Sequence, residues 1–326
     1  MALHPALAAV RAGVRRSLTG VEPGSTVMVA CSGGADSLAL LAAAVFEGHK
    51  SGLRVVGVTV DHGLQEGSAD RAAAVSDQMR RLGVDESAVA TVTVDAPGIG
   101  PEAAAREARY GVLAELAERF GAQLVLLGHT LDDQAETVLL GLARGSGARS
   151  LAGMRPGFDR FRRPLLGVTR NDTETACMVD GIEWWTDPHN ADPRFTRSRV
   201  RTTVLPMLEQ ELGPGVAEAL ARTADLLRED AEALDHLAGH QLQRLRSTDG
   251  LGISDLSALD AAVRHRVIRR AAIDAGAIDS ELTRAHVLNV AAMALAAEGG
   301  KQIQLPGHVT AYRSGGMLRF RRTEVD

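Results

Sequence analysis

The chain has 326 residues, which is enough for two domains and a sizeable hydrophobic core. Hydrophobic residues make up 45% of it, and no apolar run is long enough to cross a membrane, so we expect a soluble protein with no membrane partner. The N-terminus lacks the basic start and apolar stretch of a secretion signal. Cys31 and Cys177 lie too far apart to form a disulfide framework or a metal-binding pattern. These features favour a cytoplasmic location.

The net charge of −5 argues against a nucleic-acid partner, but the arginines are clustered. Residues 144–201 contain eleven Arg and seven Asp or Glu. Two further clusters are Arg264, Arg266, Arg269 and Arg270, and then Arg313, Arg319, Arg321 and Arg322. Such clusters can bind phosphates although the whole chain is acidic. They are equally typical of a solvated surface with scattered ion pairs, and charge alone leaves both interpretations open.

Strand-like runs alternate with helical patterns in the first 130 residues. The predicted strands are 26–31, 54–60, 88–94 and 124–128, and the predicted helices between them are 38–46, 71–82 and 102–120. This order predicts an α/β fold with a parallel sheet and helices on both faces. A fifth strand is expected at 181–185, where three apolar residues occur, and a long basic loop is expected at 144–170.

The Leu-Gly-Pro-Gly sequence at 212–215 indicates a domain boundary, so we expect domains 1–212 and 213–326. Helical patterns occupy 216–245, 257–275 and 281–298 of the second domain. Short strand-like pieces follow at 301–305, 308–313 and 317–322. The second domain is therefore predicted to be mainly helical and to end in short strands.

The turn after the first predicted strand reads Ser32-Gly33-Gly34-Ala35-Asp36-Ser37, and a helix follows at once. Backbone N–H groups and the helix dipole would attract an anion there, the two serines add hydroxyl donors, and the glycines permit close approach. Asp36 would repel a bare phosphate, which suggests an intervening magnesium ion. The turn favours a polyphosphate ligand, although a tight turn with no ligand remains the alternative.

Carboxylates follow the fourth predicted strand, in the segment 128–137. Asp133 and Glu136 are three residues apart and would share one face of a helix. They suit a cation site with Asp133 as a magnesium ligand, or they are only helix caps. His129 at the end of the strand is either part of this site or a structural residue.

Two pairs of arginines lie at helical spacing. Arg106 and Arg109 would point the same way, either toward phosphates or toward nearby glutamates in ion pairs. Arg197 and Arg201 would also share a face, and two guanidinium groups there suit a phosphate or an adenylate.

Six motifs occur in one order along the chain. They are Ser-Gly-Gly-x-Asp-Ser at 32–37, Val-Asp-His-Gly-Leu at 60–64, Glu-Ala-Ala-Ala-Arg-x-x-Arg-Tyr at 102–110, Gly-His-x-x-Asp-Asp-Gln-Ala-Glu-Thr at 128–137, Arg-Pro-Leu-Leu at 163–166, and an arginine-rich segment before Leu-Pro at 197–206. Together they resemble the tRNA(Ile)-lysidine synthases of the N-type ATP pyrophosphatase superfamily, most strongly over residues 25–208. Thr130 stands where a second histidine is usual in that family, and Ser198 where asparagine is common.

The resemblance implies a fold and a reaction. The fold is a five-stranded, parallel, Rossmann-like sheet with a second, mainly helical domain whose arginine clusters, together with the basic loop 144–170, bind tRNA. The reaction uses ATP and Mg²⁺ to adenylate the wobble cytidine of tRNA(Ile) with a CAU anticodon. Free L-lysine then attacks C2 of that cytidine, and AMP leaves. A homodimer is compatible with the resemblance.

The resemblance also implies residue roles. The catalytic residues are Asp36, Asp133, Glu136 and Arg201, with Asp36 and Asp133 as metal ligands and Glu136 as the residue that binds lysine. The residues expected to bind the nucleotide are Ser32, Gly33, Gly34, Ala35, Asp36, Ser37, His62, Arg106, Arg109 and His129.

Three alternative functions fit the sequence less well. A tRNA thiolase of the same superfamily usually needs a Cys-x-x-Cys pair or a persulfide cysteine, which the two distant cysteines do not supply. A small-molecule amidating synthetase would bring a glutamine-hydrolysing domain or use ammonia, and would not need an arginine-rich second domain. A non-catalytic nucleotide-binding module would have no use for two carboxylates beside ATP.

Overall fold

The computed structural model describes residues 3–61, 63, 67–92, 101–145, 148–187, 192–247, 249–296 and 301–323. The chain divides into two compact units. The first comprises Met1–Gly145 and Gly153–Ala224, and the second comprises Ser146–Ala152 and Asp225–Asp326. The boundary at residue 212 stays a prediction. No described helix is both long enough and apolar enough to span a membrane.

The first unit contains a six-stranded sheet with the order β3-β2-β1-β4-β6-β5. Its strands are β1 (Thr26–Ala30), β2 (Arg54–Asp61), β3 (Glu86–Thr91), β4 (Ala122–Leu127), β5 (Gly157–Phe158) and β6 (Phe161–Arg162). The pairs β2–β3, β1–β2, β1–β4 and β4–β6 are parallel, and only β5–β6 is antiparallel. The predicted α/β fold with a parallel sheet is confirmed.

Helices of the first unit pack on both faces of this sheet. The helices up to residue 212 are α1 (Pro5–Ser17), α2 (Ala35–Lys50), α3 (Ser68–Arg81), α4 (Pro101–Arg119), α5 (Leu131–Ala143), α7 (Arg170–Val179), α8 (Thr196–Arg199) and α9 (Leu205–Leu212) in the first unit, and the short α6 (Ala148–Leu151) in the second. Alternate residues of β1 enter different cores, because side chains of a strand point to opposite faces. Val27 and Val29 belong to one buried cluster and Met28 to the other.

Two expectations for the middle of the chain were wrong. Residues 181–185 form no strand: Ile182 is buried and Trp184 packs against the core, so their apolar character reflects packing rather than sheet pairing. Residues 144–170 are not one long loop, because α6 and the β5–β6 hairpin lie within them. The sheet therefore has six strands rather than five, and the strand next to β4 is β6.

The second unit contains most of α10 (Val216–Leu245) together with α11 (Ile253–Ala258), α12 (Ala261–Asp274) and α13 (Arg284–Leu295). Its antiparallel sheet has the order β7-β8-β11-β10-β9, with β7 (Arg246–Ser247), β8 (Gly250–Gly252), β9 (Gln302–Leu305), β10 (Val309–Ser314) and β11 (Met317–Arg322). The helix predicted at 257–275 is divided at Leu259 and Asp260, whose backbones are extended. The mainly helical character and the three C-terminal strands are confirmed.

Candidate active site

The glycine turn connects β1 directly to α2. Gly33 has φ +83°, and a Cβ atom there would lie 2.6 Å from Cγ2 of Val75, so this position needs glycine. The Ser37 hydroxyl stabilises the turn, because it accepts from the Ser32 N–H at 3.1 Å and donates to the Gly34 carbonyl at 2.9 Å. The N-terminus of the 16-residue helix α2 follows, and its free N–H groups favour an anion.

A cavity of about 680 Å³ opens beside this turn at the carboxyl ends of β1, β2 and β4. This volume falls within the range of small-molecule sites. In open α/β sheets ligands bind at this edge. The expected site residues that line the cavity are Ser32, Gly34, Asp36, Ser37, Arg109 and His129, and Tyr110 and Trp185 line it too. The Trp185 N–H donates to the Gly33 carbonyl at 3.1 Å, which ties the segment after α7 to the turn.

Three carboxylates lie together around Arg170: Asp36, which lines the cavity, from the start of α2, and Asp133 and Glu136 from the first turns of α5. Thr130 caps α5 in a capping box with Asp133, whose Oδ2 accepts from the Thr130 N–H at 3.0 Å. Asp133 is therefore a cap as well as a member of the carboxylate cluster. Glu136 is fully buried, with 0% of its side chain exposed.

Two guanidinium groups bind both oxygens of Glu136. Arg197 Nε lies 2.9 Å from Oε2, and Arg201 Nε lies 2.7 Å from Oε1. Arg201 Nη2 also lies 2.9 Å from Oδ1 of Asp133. The two arginines come from α8 and from the π-helical turn Val200–Val204 that follows it, which agrees with the shared face predicted from their spacing.

Arg170 joins the same cluster, although it belongs to none of the sequence motifs. Its Nη2 lies 3.2 Å from Asp133 Oδ1 and 3.7 Å from Glu136 Oε1, and its Nε lies 3.5 Å from Asp36 Oδ2. Its backbone N–H donates to Asp132 at 2.7 Å, so the first turn of α7 is fixed against α5. The capping box formed by Thr169 and Asp172 is a sequence signal that could have identified the start of α7 and therefore Arg170.

The cluster contains three carboxylates and three guanidinium groups, but its members have different acidities. Burial raises the pKa of Asp36 to about 6, and the Arg170 guanidinium and the Thr173 hydroxyl oppose this only in part. Burial would raise the pKa of Asp133 too, but Arg170, the Thr130 N–H and Arg201 together lower it. Of these two carboxylates, Asp36 thus gains more from an additional cation.

Asp36 and Asp133 fit a magnesium ion by the chemistry of their oxygens, which are the donors that this hard cation prefers. In the part of the chain that the structure describes, no three His, Cys, Asp or Glu side chains are placed to bind one metal. Magnesium is usually bound by one or two carboxylates, with water and substrate phosphates completing its shell. A site of two carboxylates beside the glycine turn is consistent with that arrangement.

The remaining predicted site residues are less defined. His62 lies outside the described residues, and Arg106 lies on α4 with its side chain outside them.

Both cysteines are free and buried. Burial raises the pKa of Cys31, and burial with the nearby Asp36 raises that of Cys177 to about 12. Neither thiol is therefore suited to form the thiolate that sulfur transfer requires.

Comparison with known proteins assigns the chain to a family. Residues 10–208 match the PP-loop domain, and residues 251–319 match the TilS substrate binding domain. The tRNA(Ile)-lysidine synthase of Streptomyces coelicolor is 50% identical over 99% of this chain and 100% of its own length. The tRNA(Ile)-lysidine synthase of Thermobifida fusca is 51% identical over 96% of this chain and 97% of its own length. The chain belongs to the tRNA(Ile)-lysidine synthase family.

Membership of the tRNA(Ile)-lysidine synthase family confirms the resemblance seen in the motifs, and it identifies the chain as an enzyme. Among solved structures, the U34-tRNA thiolase NcsA from Methanococcus maripaludis has a TM-score of 0.57 and covers 68% of this chain and 80% of its own. Its sequence identity is 18%, so this likeness shows the PP-loop fold alone.

The glycine turn provides a first test. We expect Gly33→Ala to lower the free energy of unfolding by about 2–4 kcal/mol, because the new methyl group would clash with Val75 in addition to straining the backbone. ATP binding should weaken with it. Gly20→Ala is the matched control, since Gly20 has φ +82° but nothing within 4 Å of the added Cβ, and should lose only about 1–2 kcal/mol. Urea denaturation and ATP titration measure both effects, and equal losses would contradict the steric explanation.

The raised pKa of Asp36 gives a second test. Between its ordinary value of 3.8 and about 6, the folded chain binds more protons at Asp36 than the unfolded chain does. The wild type should therefore lose stability relative to Asp36→Asn as pH rises through this window, by about 3 kcal/mol at most. Urea denaturation between pH 4 and 8, without nucleotide or metal, measures the difference. Glu209→Gln is the control, because Glu209 lies outside the carboxylate cluster and hydrogen bonds from backbone N–H groups lower its pKa, which predicts a constant difference over most of this window. Parallel curves for Asp36→Asn would refute the shift.

Proposed function

We propose that this chain ligates lysine to C2 of the wobble cytidine of tRNA(Ile) with a CAU anticodon, in an ATP-dependent reaction that gives lysidine, AMP and pyrophosphate. Relatives named tRNA(Ile)-lysidine synthase align over almost the whole chain, which supports the proposal. The observation that carries it is the carboxylate pair Asp133 and Glu136, which Arg170 links to Asp36 of the cavity lining, because this pair can bind the ammonium group of a substrate as well as a nucleotide-bound cation.

The cavity and the glycine turn would bind ATP with its β- and γ-phosphates against residues 32–37. The C2 carbonyl oxygen of the cytidine attacks the α-phosphate, and pyrophosphate leaves. This step is needed because a carbonyl oxygen is a poor leaving group, whereas AMP is a good one. The resulting adenylated cytidine is open to attack at C2 by an amine.

Asp36 and Asp133 are the residues that we propose as ligands of Mg²⁺. When bound, the metal would neutralise the phosphates and the departing pyrophosphate. The raised pKa of Asp36 supports this assignment, because an additional cation would stabilise its ionised form.

Lysine must attack as a neutral amine, and only about one molecule in a few thousand is neutral at pH 7 with a pKa of about 10.4. The site therefore has to bind the ammonium group and then accept a proton. We propose that Asp133 and Glu136 do both. The position between Asp133 Oδ1 and Glu136 Oε1 now holds Nη2 of Arg170, whose contacts of 3.2 and 3.7 Å are longer than those of Arg201.

Arg170 is accordingly the guanidinium that the substrate ammonium would replace, whereas Arg197 and Arg201 stay on Glu136. Arg109 lines the cavity, and we propose it as a residue that binds phosphate or adenylate. Arg106, His62 and His129 remain proposed nucleotide-binding residues. Arg201 acts in this scheme by fixing the two carboxylates.

The tRNA would supply its wobble base unstacked, since the reacting atom of a stacked base is out of reach. We propose the cytoplasm as the location, where tRNA, ATP and free lysine are present together. The homodimer stays a prediction.

The decisive experiment follows radiolabelled lysine. The purified chain is incubated with ATP, Mg²⁺, labelled lysine and tRNA(Ile) bearing a CAU anticodon, and methionine tRNA with the same anticodon is the control. We expect ATP-dependent label in the isoleucine tRNA alone. Release of pyrophosphate without label in either tRNA would refute lysine as the nucleophile and favour the thiolase or the small-molecule synthetase.

The variant Glu136→Gln tests whether Glu136 acts in the reaction with lysine rather than in the adenylation step. We expect adenylated tRNA to form within about threefold of the wild-type rate, and the reaction with lysine to slow at least about 100-fold, the scale of general-base catalysis. Rapid-quench measurement separates pyrophosphate release from lysine incorporation. Glu115→Gln on the exposed face of α4 is the control and should change neither step. Loss of pyrophosphate release in a folded Glu136→Gln variant would contradict the assigned role.

A further inference from the structure

The first two turns of α3 pack beside the glycine turn. Val75 is buried there, and its Cγ2 atom is the atom that a Cβ on Gly33 would meet at 2.6 Å. Arg71 precedes Val75 by four residues, so the two side chains lie on the same face of α3. Ser68, Arg71, Ala72 and Val75 all line the cavity of about 680 Å³. This face of α3 is therefore part of the cavity wall next to the turn.

A second contact, with Trp185, fixes Arg71 near the same turn. The guanidinium carbon of Arg71 lies 3.4 Å from the centre of the Trp185 ring. The Trp185 N–H donates to the Gly33 carbonyl at 3.1 Å, and the Trp185 carbonyl oxygen would lie 3.9 Å from a Cβ atom on Gly34. Two separate segments, α3 and the segment after α7, thus place Arg71 beside the turn that we propose as the phosphate-binding site.

The contact with Trp185 suits the Arg71 guanidinium to binding an anion. A stacked guanidinium uses its planar face for the ring, and its N–H groups lie in the plane, where two of them can donate to one phosphate. The ring also restricts a long side chain, which lowers the entropy lost when a ligand binds. Arg71 and Trp185 are both half-buried at the cavity wall, so the guanidinium is positioned before any ligand arrives.

The charge of the cavity lining explains why an arginine is useful at this place. Asp36, Asp61 and Asp187 line the cavity, and the arginines among its described lining residues are Arg71 and Arg109. Three carboxylates would repel the terminal phosphates of ATP, where most of the charge of the nucleotide lies. A positioned arginine beside the glycine turn reduces this repulsion.

We propose that Arg71 binds the β- and γ-phosphates of ATP and stabilises pyrophosphate as it leaves. As the bond from the cytidine oxygen to the α-phosphorus forms, the bond from the α-phosphorus to the bridging oxygen breaks, and its electron pair stays on pyrophosphate. Arg71 supplies positive charge where this negative charge develops. Trp185 is a positioning residue that acts through Arg71. Neither residue belongs to the six sequence motifs, and the inference rests on the proposed function, which supplies the reaction.

Binding of three ligands to the full chain tests where Arg71 acts. ATP and inorganic pyrophosphate contain the phosphates that Arg71 would bind, whereas AMP does not. In the presence of Mg²⁺, Arg71→Gln should bind ATP and pyrophosphate about tenfold more weakly, the scale of one hydrogen bond to a charged group, and AMP within about twofold of wild type. Arg81→Gln is the control, because it removes an exposed arginine about 15 Å further along α3 and should change none of the three affinities. Isothermal titration calorimetry measures them.

Variants of Trp185 test the positioning role. Trp185→Leu removes the stack but keeps an apolar side chain and the backbone N–H that binds Gly33, so ATP affinity should fall about threefold to fivefold, the scale of one cation–π contact. Trp185→Phe retains a ring and should stay within about twofold of wild type. In a chain that already carries Arg71→Gln, Trp185→Leu should cause no further loss, because the two residues act as one unit.

The two chemical steps provide an independent readout. At saturating ATP, release of pyrophosphate in a single turnover should slow at least about tenfold in Arg71→Gln, because stabilisation of the leaving group is lost. Adenylated tRNA that is formed without lysine and then given lysine should react within about twofold of the wild-type rate, because pyrophosphate has already left.

The outcomes separate this inference from the proposed function. Unchanged affinities for ATP and pyrophosphate in Arg71→Gln would overturn the inference, and so would equal weakening of AMP, which would indicate a contact with the nucleoside or a general structural effect. Additive losses in the double variant would refute the positioning role of Trp185. A wild-type chain that binds ATP but neither releases pyrophosphate nor incorporates lysine would instead overturn the proposed function.

Discussion

The buried carboxylate of Glu136 is the constraint on which the candidate site depends. A carboxylate with no exposed surface is tolerated only if it is paired and hydrogen-bonded, and Arg197 and Arg201 bind both of its oxygens. Removing one member of such a buried pair typically costs 3–5 kcal/mol, roughly, because the other charge is left uncompensated. These ion pairs therefore fix the segment that contains α8 and the π-helical turn against α5, and with it the position of Asp133.

Charge balance explains why an arginine occupies the middle of the carboxylate cluster. Asp36, Asp133 and Glu136 would repel one another if no cation lay between them, and Arg170 contacts all three. A substrate cation that enters must interact with these carboxylates at least as favourably as the Arg170 guanidinium does. The site thus contains two arginines that bind Glu136 closely, Arg197 and Arg201, and a third, Arg170, whose contacts with the carboxylates are longer.

Local sequence predicted the elements that follow regular patterns. The alternation of apolar β-branched runs with alanine-rich helices predicted the parallel sheet, and glycine with serine and aspartate predicted the turn before α2. The spacing of Arg197 and Arg201 correctly predicted a shared face. Arg170 was missed because its importance comes from α7 meeting α5, a contact between segments about 35 residues apart that no local pattern contains. Ile182 and Trp184 imitated a strand because burial against helices produces the same apolar pattern as sheet pairing.

The hydrogen bond from the Trp185 N–H to the Gly33 carbonyl can form only late in the synthesis of the chain. The glycine turn and β1 leave the ribosome more than 150 residues before the segment that completes their contacts, and Glu136 emerges some 60 residues before the arginines that neutralise it. A nascent chain can form its first strands and helices early, because those contacts are comparatively local. The site is complete only after residue 201 has left the ribosome. Translation products that end earlier would therefore contain the glycine turn and the carboxylates without the arginines that neutralise them.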